Sequence, residues 1–207
     1  RGVNVSRQNR INMLGLKRLY GSLDLVNVVT YIQSGNVVFD TGENDPTKIS
    51  RSIEEAITRS FGGEVRVILR DKDSTNKILG SNPFLNQRNA DPENLYVTFL
   101  SDTPSELDLK EKISPPPDPR TPSTPRGVET ADGGLMPPRL GAGEIINLGS
   151  WRKDEFIIHG KEVYLFCPNG YGKTKFSNTF FEKKLSVSAT TRNWKTVNAL
   201  CEIANQR

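Results

Sequence analysis

The chain has 207 residues, 28 of them Lys or Arg against 24 Asp or Glu, a formal charge of +4, and hydrophobic side chains at only 35% of positions. That apolar share is low for a chain folded throughout, so one stretch is expected to lie outside any core. No apolar run approaches the ~20 residues of a membrane helix, and neither a membrane span nor a signal peptide is expected.

The first predicted element is an amphipathic helix over 11–22, from Met13, Leu16, Leu19, Tyr20 and Leu23 at helical spacing, with Ser6 or Asn9 available as caps. Val28 to Ile32 and Val37 to Phe39, separated by Ser34 and Gly35, predict a hairpin. Asp45 and Pro46 open a helix whose stripe is Ile49, Ile53, Ile57 and Phe61 and whose stop is Gly62. Val65, Val67 and Leu69 alternate as a strand, then come a short helix over 73–80 and a strand from Tyr96 to Leu100. The order helix, strand, strand, helix, strand fits a split βαβ unit if one strand precedes the first helix. Only Arg1 to Val5 remain to form it, which is short for a central strand and suggests a truncated N-terminus.

Residues 101–150 hold none of the aromatic side chains and most of the prolines, including Pro115 to Pro117, and read as a Pro/Gly-rich, largely disordered insert between a domain at 1–100 and another at 151–207. Glu155 to Ile158 and Glu162 to Phe166 flank a tight His159-Gly160 turn as a second hairpin. Two helices follow, one over 176–185 and one carrying Trp194, Val197, Cys201 and Ala204. Hairpins interleaved with helices predict an α+β fold.

Charge is unevenly placed. Residues 1–20 and 160–207 are each +5, leaving the middle at −6. If the fold makes these ends neighbours, they form an anion-attracting face. Pro168 to Asn178 reads PNGYGKTKFSN, where Gly170 and Gly172 free the backbone to aim N–H groups at one point and Lys173 and Lys175 add charge. It is similar to a Walker A loop, but Cys167 stands where that loop requires glycine, so nucleotide hydrolysis is not expected. In TTRNWKTV, Thr190 to Val197, a threonine is read as a helix cap with Arg192 and Lys195 crowding the first turn. Cations are disfavoured there unless something negative comes from outside, and Arg192 can offer two parallel bonds to an oxyanion. Trp194 begins the apolar stripe and reads as core.

Other chemistries find little footing. G-x-S-x-G is absent, and His159 has no partner pattern around it. Cys167 reads as a small buried hydrophobe before a nucleophile, and no paired carboxylates stand out. Two cysteines and one histidine cannot complete a four-ligand zinc site, so no metal and no cofactor is expected. They suggest no disulfide framework either, which points to a reducing, cytoplasmic compartment.

Taken together, RGVNV with N-R-I-N-M, YIQSGNVVF, the NPF at Asn82 to Phe84, LYVTFL, NGYGKTKFSN, FFEKKL and TTRNWKTV resemble domain-of-unknown-function family 1697. The resemblance implies an α+β protein with a ferredoxin-like first half and a smaller second α+β lobe. It implies no activity and no catalytic residues. The chain departs from the family pattern in lacking the strand that leads into the RGVNV-like motif and in its proline-rich insert, as a faulty gene model would.

The reading is a binding protein or small enzyme for a phosphate- or carboxylate-bearing ligand, at a convergence of the PNGYGKTK loop, the TTRNWK segment and the RGVNV loop. Lys173, Lys175 and Arg192 would supply charge, Gly170 and Gly172 backbone donors, and Asn4, Asn36 and Asn169 orienting amides. The competing reading is a nucleic-acid or protein interaction module without a pocket; nucleic acid is less favoured because no RNP-like or helix-turn-helix pattern accompanies the basic ends. Oligomeric state and ligand identity are not set by the sequence.

Overall fold

The structure, a computed structural model, describes residues 11–105, 107–109, 146–151 and 153–207. Its architecture is mixed α+β, with six α-helices and two antiparallel sheets among those residues. Helix α1 (Met13–Gly21) starts where Asn12 Oδ1 accepts the Leu14 N–H at 2.9 Å. Asn12 is thus the cap; Ser6 and Asn9 lie outside the described residues. Strands β1 (Val26–Tyr31) and β2 (Asn36–Asp40) form the first hairpin, with Ile32 and Gly35 in left-handed conformation at the turn. Helix α2 (Pro46–Phe61) follows its prediction closely: Asp45 Oδ1 accepts the Thr47 and Lys48 N–H groups, Pro46 takes a position that needs no donor, and Gly62 ends the helix at φ +70°.

Residues 65–69 are a correction. They form no strand, because among the described residues none lies beside them to complete a ladder. Val65 and Val67 still pack on the core of α1, α2 and the hairpin, so their alternation is real. A ferredoxin-like half needs four strands. The described residues supply two of them, and that topology is not established.

Helices α3 (Lys72–Gly80) and α4 (Pro83–Arg88) lead into β3 (Leu95–Leu100). After the segment holding Pro115 to Pro138, which lies outside the described residues, come β4 (Ile146–Trp151), β5 (Asp154–His159), β6 (Glu162–Phe166), α5 (Asn178–Leu185), β7 (Ala189–Asn193) and α6 (Trp194–Asn205). The strands form one antiparallel sheet in the order β4-β5-β6-β3-β7. The second correction falls here. Thr190 to Asn193, expected at a helix start, are strand, paired with Tyr96 to Phe99. The β-branched Thr190 and Thr191 suit the ladder that β3 offers. The helix begins at Trp194, with Asn193 Oδ1 accepting the Thr196 N–H at 2.8 Å.

Alternation along β3 gives the sheet two apolar faces. Leu100 joins Phe156, Ile158, Val163 and Leu165 under Phe181 and Leu185 of α5. Leu95 and Val97 join Ile157 and Tyr164 on the opposite face, under Ile78, Phe84, Trp194 and Val197 from α3, α4 and α6. A separate core, with Leu16, Tyr20, Val28, Ile53 and Ile57, holds the hairpin against α1 and α2. No helix among the described residues is long and apolar enough to cross a membrane.

Candidate functional site

A groove of about 1100 Å³ runs between the hairpin lobe and the second sheet. Two continuous stretches of chain contribute to its lining, residues 35–41 around β2 and residues 65–72. Leu16, Tyr20 and Ile57 line it from α1 and α2, and Val197, Leu200 and Ala204 from α6. Alternation in β2 explains how it serves both layers. Val37 and Phe39 turn into the core of the first lobe, while Asn36 and Asp40 reach Arg192 and Arg207 at the two ends of α6. Among the described lining residues are seven Lys or Arg, against four acids, Asp40, Glu43, Asp71 and Glu162.

Arg192 closes one end of the groove. Its Nε–H donates to Asn36 Oδ1 at 2.5 Å, Nη1 donates to Thr190 Oγ1 and Thr191 O at 2.8 Å each, and Nη2 donates to Ser34 O at 3.3 Å. Every one of these acceptors is neutral. No carboxylate pairs with Arg192 among the described residues. Burial pushes its pKa down from the ordinary arginine value, the direction expected when a cation loses water without gaining a counter-charge. Arg70, which also lines the groove, has what Arg192 lacks: its Nε–H donates to Glu162 Oε1 at 2.6 Å, and Nη2 donates to Leu100 O and Lys161 O.

Of the residues proposed from sequence, the fold brings Arg192 and Asn36 into direct contact. It does not bring the PNGYGKTK loop to them. Tyr171 donates its hydroxyl proton to Thr191 Oγ1 at 2.9 Å and stacks near Tyr96, 5.2 Å between ring centroids. Thr191 and Arg192 are consecutive in β7, so their side chains leave opposite faces of the sheet. Gly170, Gly172 and Lys173 accordingly sit by the face that α5 covers. Within the loop the Lys173 N–H donates to Gly170 O, so the backbone there folds on itself. Gly170 at φ +84° is in the left-handed region that favours glycine. Asn169, Lys173 and Lys175 are exposed, and Asn4 lies outside the described residues. Helix α5 begins only at Asn178, where Ser177 Oγ accepts the Phe180 N–H.

Cys167 is fully buried, and burial, with Asp154 adding to it, pushes the thiol up to about 12. That removes it as a nucleophile near neutral pH. Trp194 is core, at 6% exposure. Sequence reading missed Arg70, Ser34, Lys161 and Glu162. Their partners lie far along the chain, Arg70 and Glu162 being 92 residues apart, and no local spacing announces such a pair.

A family of proteins of unknown function, DUF1697, matches residues 1–121. The chain belongs to this family. Among solved structures, the conserved bacterial protein SP0830 from Streptococcus pneumoniae is similar in fold, with 19% identity, a TM-score of 0.60, and coverage of 99% of this chain and 94% of that one. At that identity the likeness concerns the fold alone. No curated protein matches the chain. For this DUF1697 member the site must therefore be argued from its own residues.

Proposed function

We propose that this is a cytoplasmic protein that binds a small anionic ligand, carrying a carboxylate or phosphate, at the Arg192 end of the groove. The observation that carries the reading is a half-buried guanidinium held, among the described residues, by neutral acceptors alone. A poorly hydrated charge without a counter-ion is costly, and a bound oxyanion would offset that cost while taking the Nη2 N–H that the neutral acceptors leave over. Lys161 and the excess of basic residues along the groove support the same sign of ligand. Asn36, fixed by its bond to Arg192, would set the guanidinium plane. The same reading takes the first lobe as ferredoxin-like, supported by α1, β1, β2 and α2 in the required order and by the alternation of Val65, Val67 and Leu69 beyond them.

A thermal-shift screen with inorganic phosphate, nucleotides, sugar phosphates and dicarboxylates tests it. A ligand at a hundred times its Kd adds ~2.7 kcal/mol, which at this chain length raises Tm by roughly 5–10 °C. Arg192→Lys and Lys161→Glu should each cut the shift by more than half. A shift that neither variant changes, or no shift with any anion, rejects the site. An oligonucleotide arm separates the competing reading, since a binder with about six phosphate contacts loses ~10³-fold in affinity between about 50 and 200 mM salt.

A further inference from the structure

Strand β2 carries an open edge. It pairs with β1 along one side, and among the described residues no strand lies along the other. A groove lying over one face of a strand is lined by alternate residues, whereas this one is lined by all of residues 35–41 and so runs along the edge. Every second residue of an edge strand points its N–H and C=O away from the partner strand, and such groups left bare in apolar surroundings cost as much as a lost hydrogen bond. The two sides of the groove are apolar. Val37 and Phe39 face the core of α1 and α2, and Leu16, Tyr20 and Ile57 line the groove from there. The other face of β2 meets α6, which lends Val197, Leu200 and Ala204. An extended peptide laid along β2 continues both faces, so its side chains meet these walls alternately while its backbone fills the edge.

We infer that the groove takes the C-terminal tail of a partner protein, its last residues apolar and extended along β2 and its terminal carboxylate on Arg192. This rests on the anion site proposed above and names its ligand class. Arg192 bonds Asn36, the first residue of β2, and Ser34 just before it, so the charge stands at one end of the open edge. One Nη2 N–H remains there for an oxyanion. The backbone carboxylate of a peptide belongs to its last residue. Setting that residue beside Asn36 makes the tail run antiparallel to β2, as β1 does on the other side. Strand β2 has five residues, so about five residues of tail, ~16 Å, cover the edge. Seven Lys or Arg against four acids along the lining suit a tail whose one charge is negative. An internal segment of a partner lacks the terminal carboxylate. An acyl chain has one but lacks the N–H and C=O groups that the edge of β2 requires.

Fluorescence anisotropy on the full chain tests this with N-terminally labelled peptides that carry free carboxyl ends and vary the last four positions over Val, Ile, Leu, Phe and Thr. Some members should bind saturably. Amidating the C-terminus of a bound member should weaken it ~10-fold or more, as losing a charge-assisted bond does. N-methylating every second residue should do the same in at least one of the two phases, since alternate N–H groups face β2. Hydrogen exchange at the β2 amides that point away from β1 should slow ~10-fold or more when the peptide is added. No binding by any member overturns the inference. So does a peptide indifferent to N-methylation in both phases, or exchange in β2 that the peptide leaves unchanged. Binding of decanoate in place of every peptide would assign the groove to an acyl chain, and a dimer with β2 already protected would assign it to a second copy; either result overturns it. Amide and acid that bind alike overturn it and count against the Arg192 anion site as well. If small carboxylates raise Tm through Arg192 and no peptide binds, the anion site stands and the tail alone is refuted. Because amidation alters the peptide, the decisive comparison needs no variant of the protein to fold.

Discussion

Arg192 and Asn36 were both legible in the sequence as candidates, and the fold joins them, but their chemistry was not. For Arg192 the sequence context predicts a cation at a helix start, free to meet a ligand. It is instead a strand residue tying β7 to the β1–β2 turn, with Ser34 O and Asn36 Oδ1 as acceptors. The reason is physical: a lone arginine in sequence carries no mark of which chain segment its five donors will find. The cysteines show the opposite case, since their apolar surroundings fit the reading of a buried hydrophobe. Burial raises the Cys167 thiol to about 12 and also raises that of Cys201, whose Sγ–H donates to Asn76 Oδ1 at 2.9 Å. At pH 7.5 almost no thiolate exists at Cys167. Native protein should therefore react negligibly with a disulfide reagent over an hour, while denatured protein should titrate two thiols. Rapid stoichiometric labelling of the native state would contradict the buried placement.

At the level of elements, termini with side-chain caps were the most readable, because a cap is a local event between residues two or three apart. Asp45 and Gly62 set α2 with no tertiary help. Asp71 does the same for α3, accepting the Ser74 N–H at 2.6 Å, and that bond, with a second from the Ser74 side chain, holds its carboxyl below the usual range. A depressed carboxyl contributes stability above its unfolded value, near ~4, and loses it as pH falls through the folded one. Asp71→Ala should cost about 1 kcal/mol at pH 7 by chemical denaturation, and the gap from wild type should narrow below about pH 4. A gap independent of pH would show that the carboxylate is not the cap. Strands were less readable. The pattern at 65–69 is that of a strand, yet a strand also needs a neighbour, and β7 was missed because its neighbour β3 is remote in sequence. Helix α4, six residues long, is too short to show a period.

Across the whole molecule, two arginines fasten the lobes from opposite directions. Arg192 reaches out of the second sheet to the first hairpin, and Arg70 reaches from the first lobe's last segment to Leu100 O, Lys161 O and Glu162. The Arg70 and Glu162 side chains are only 13% and 17% exposed, so removing one partner strands a poorly hydrated charge. Arg70→Ala should cost about 2–3 kcal/mol and lower Tm by roughly 5–10 °C. Glu162→Gln, which keeps an acceptor, should cost less. Equal and negligible losses in calorimetry would mean that the pair does not fasten the lobes. The position of β3 has one more consequence. It is an inner strand whose two neighbours, β6 and β7, are encoded far downstream, with Leu95 against Phe166 and Leu100 against Ala189. During synthesis this apolar strand emerges long before either neighbour exists, so the nascent chain carries a sticky, unmatched LYVTFL segment until residues 162–166 and 189–193 have been made, and chaperone demand should peak in that interval.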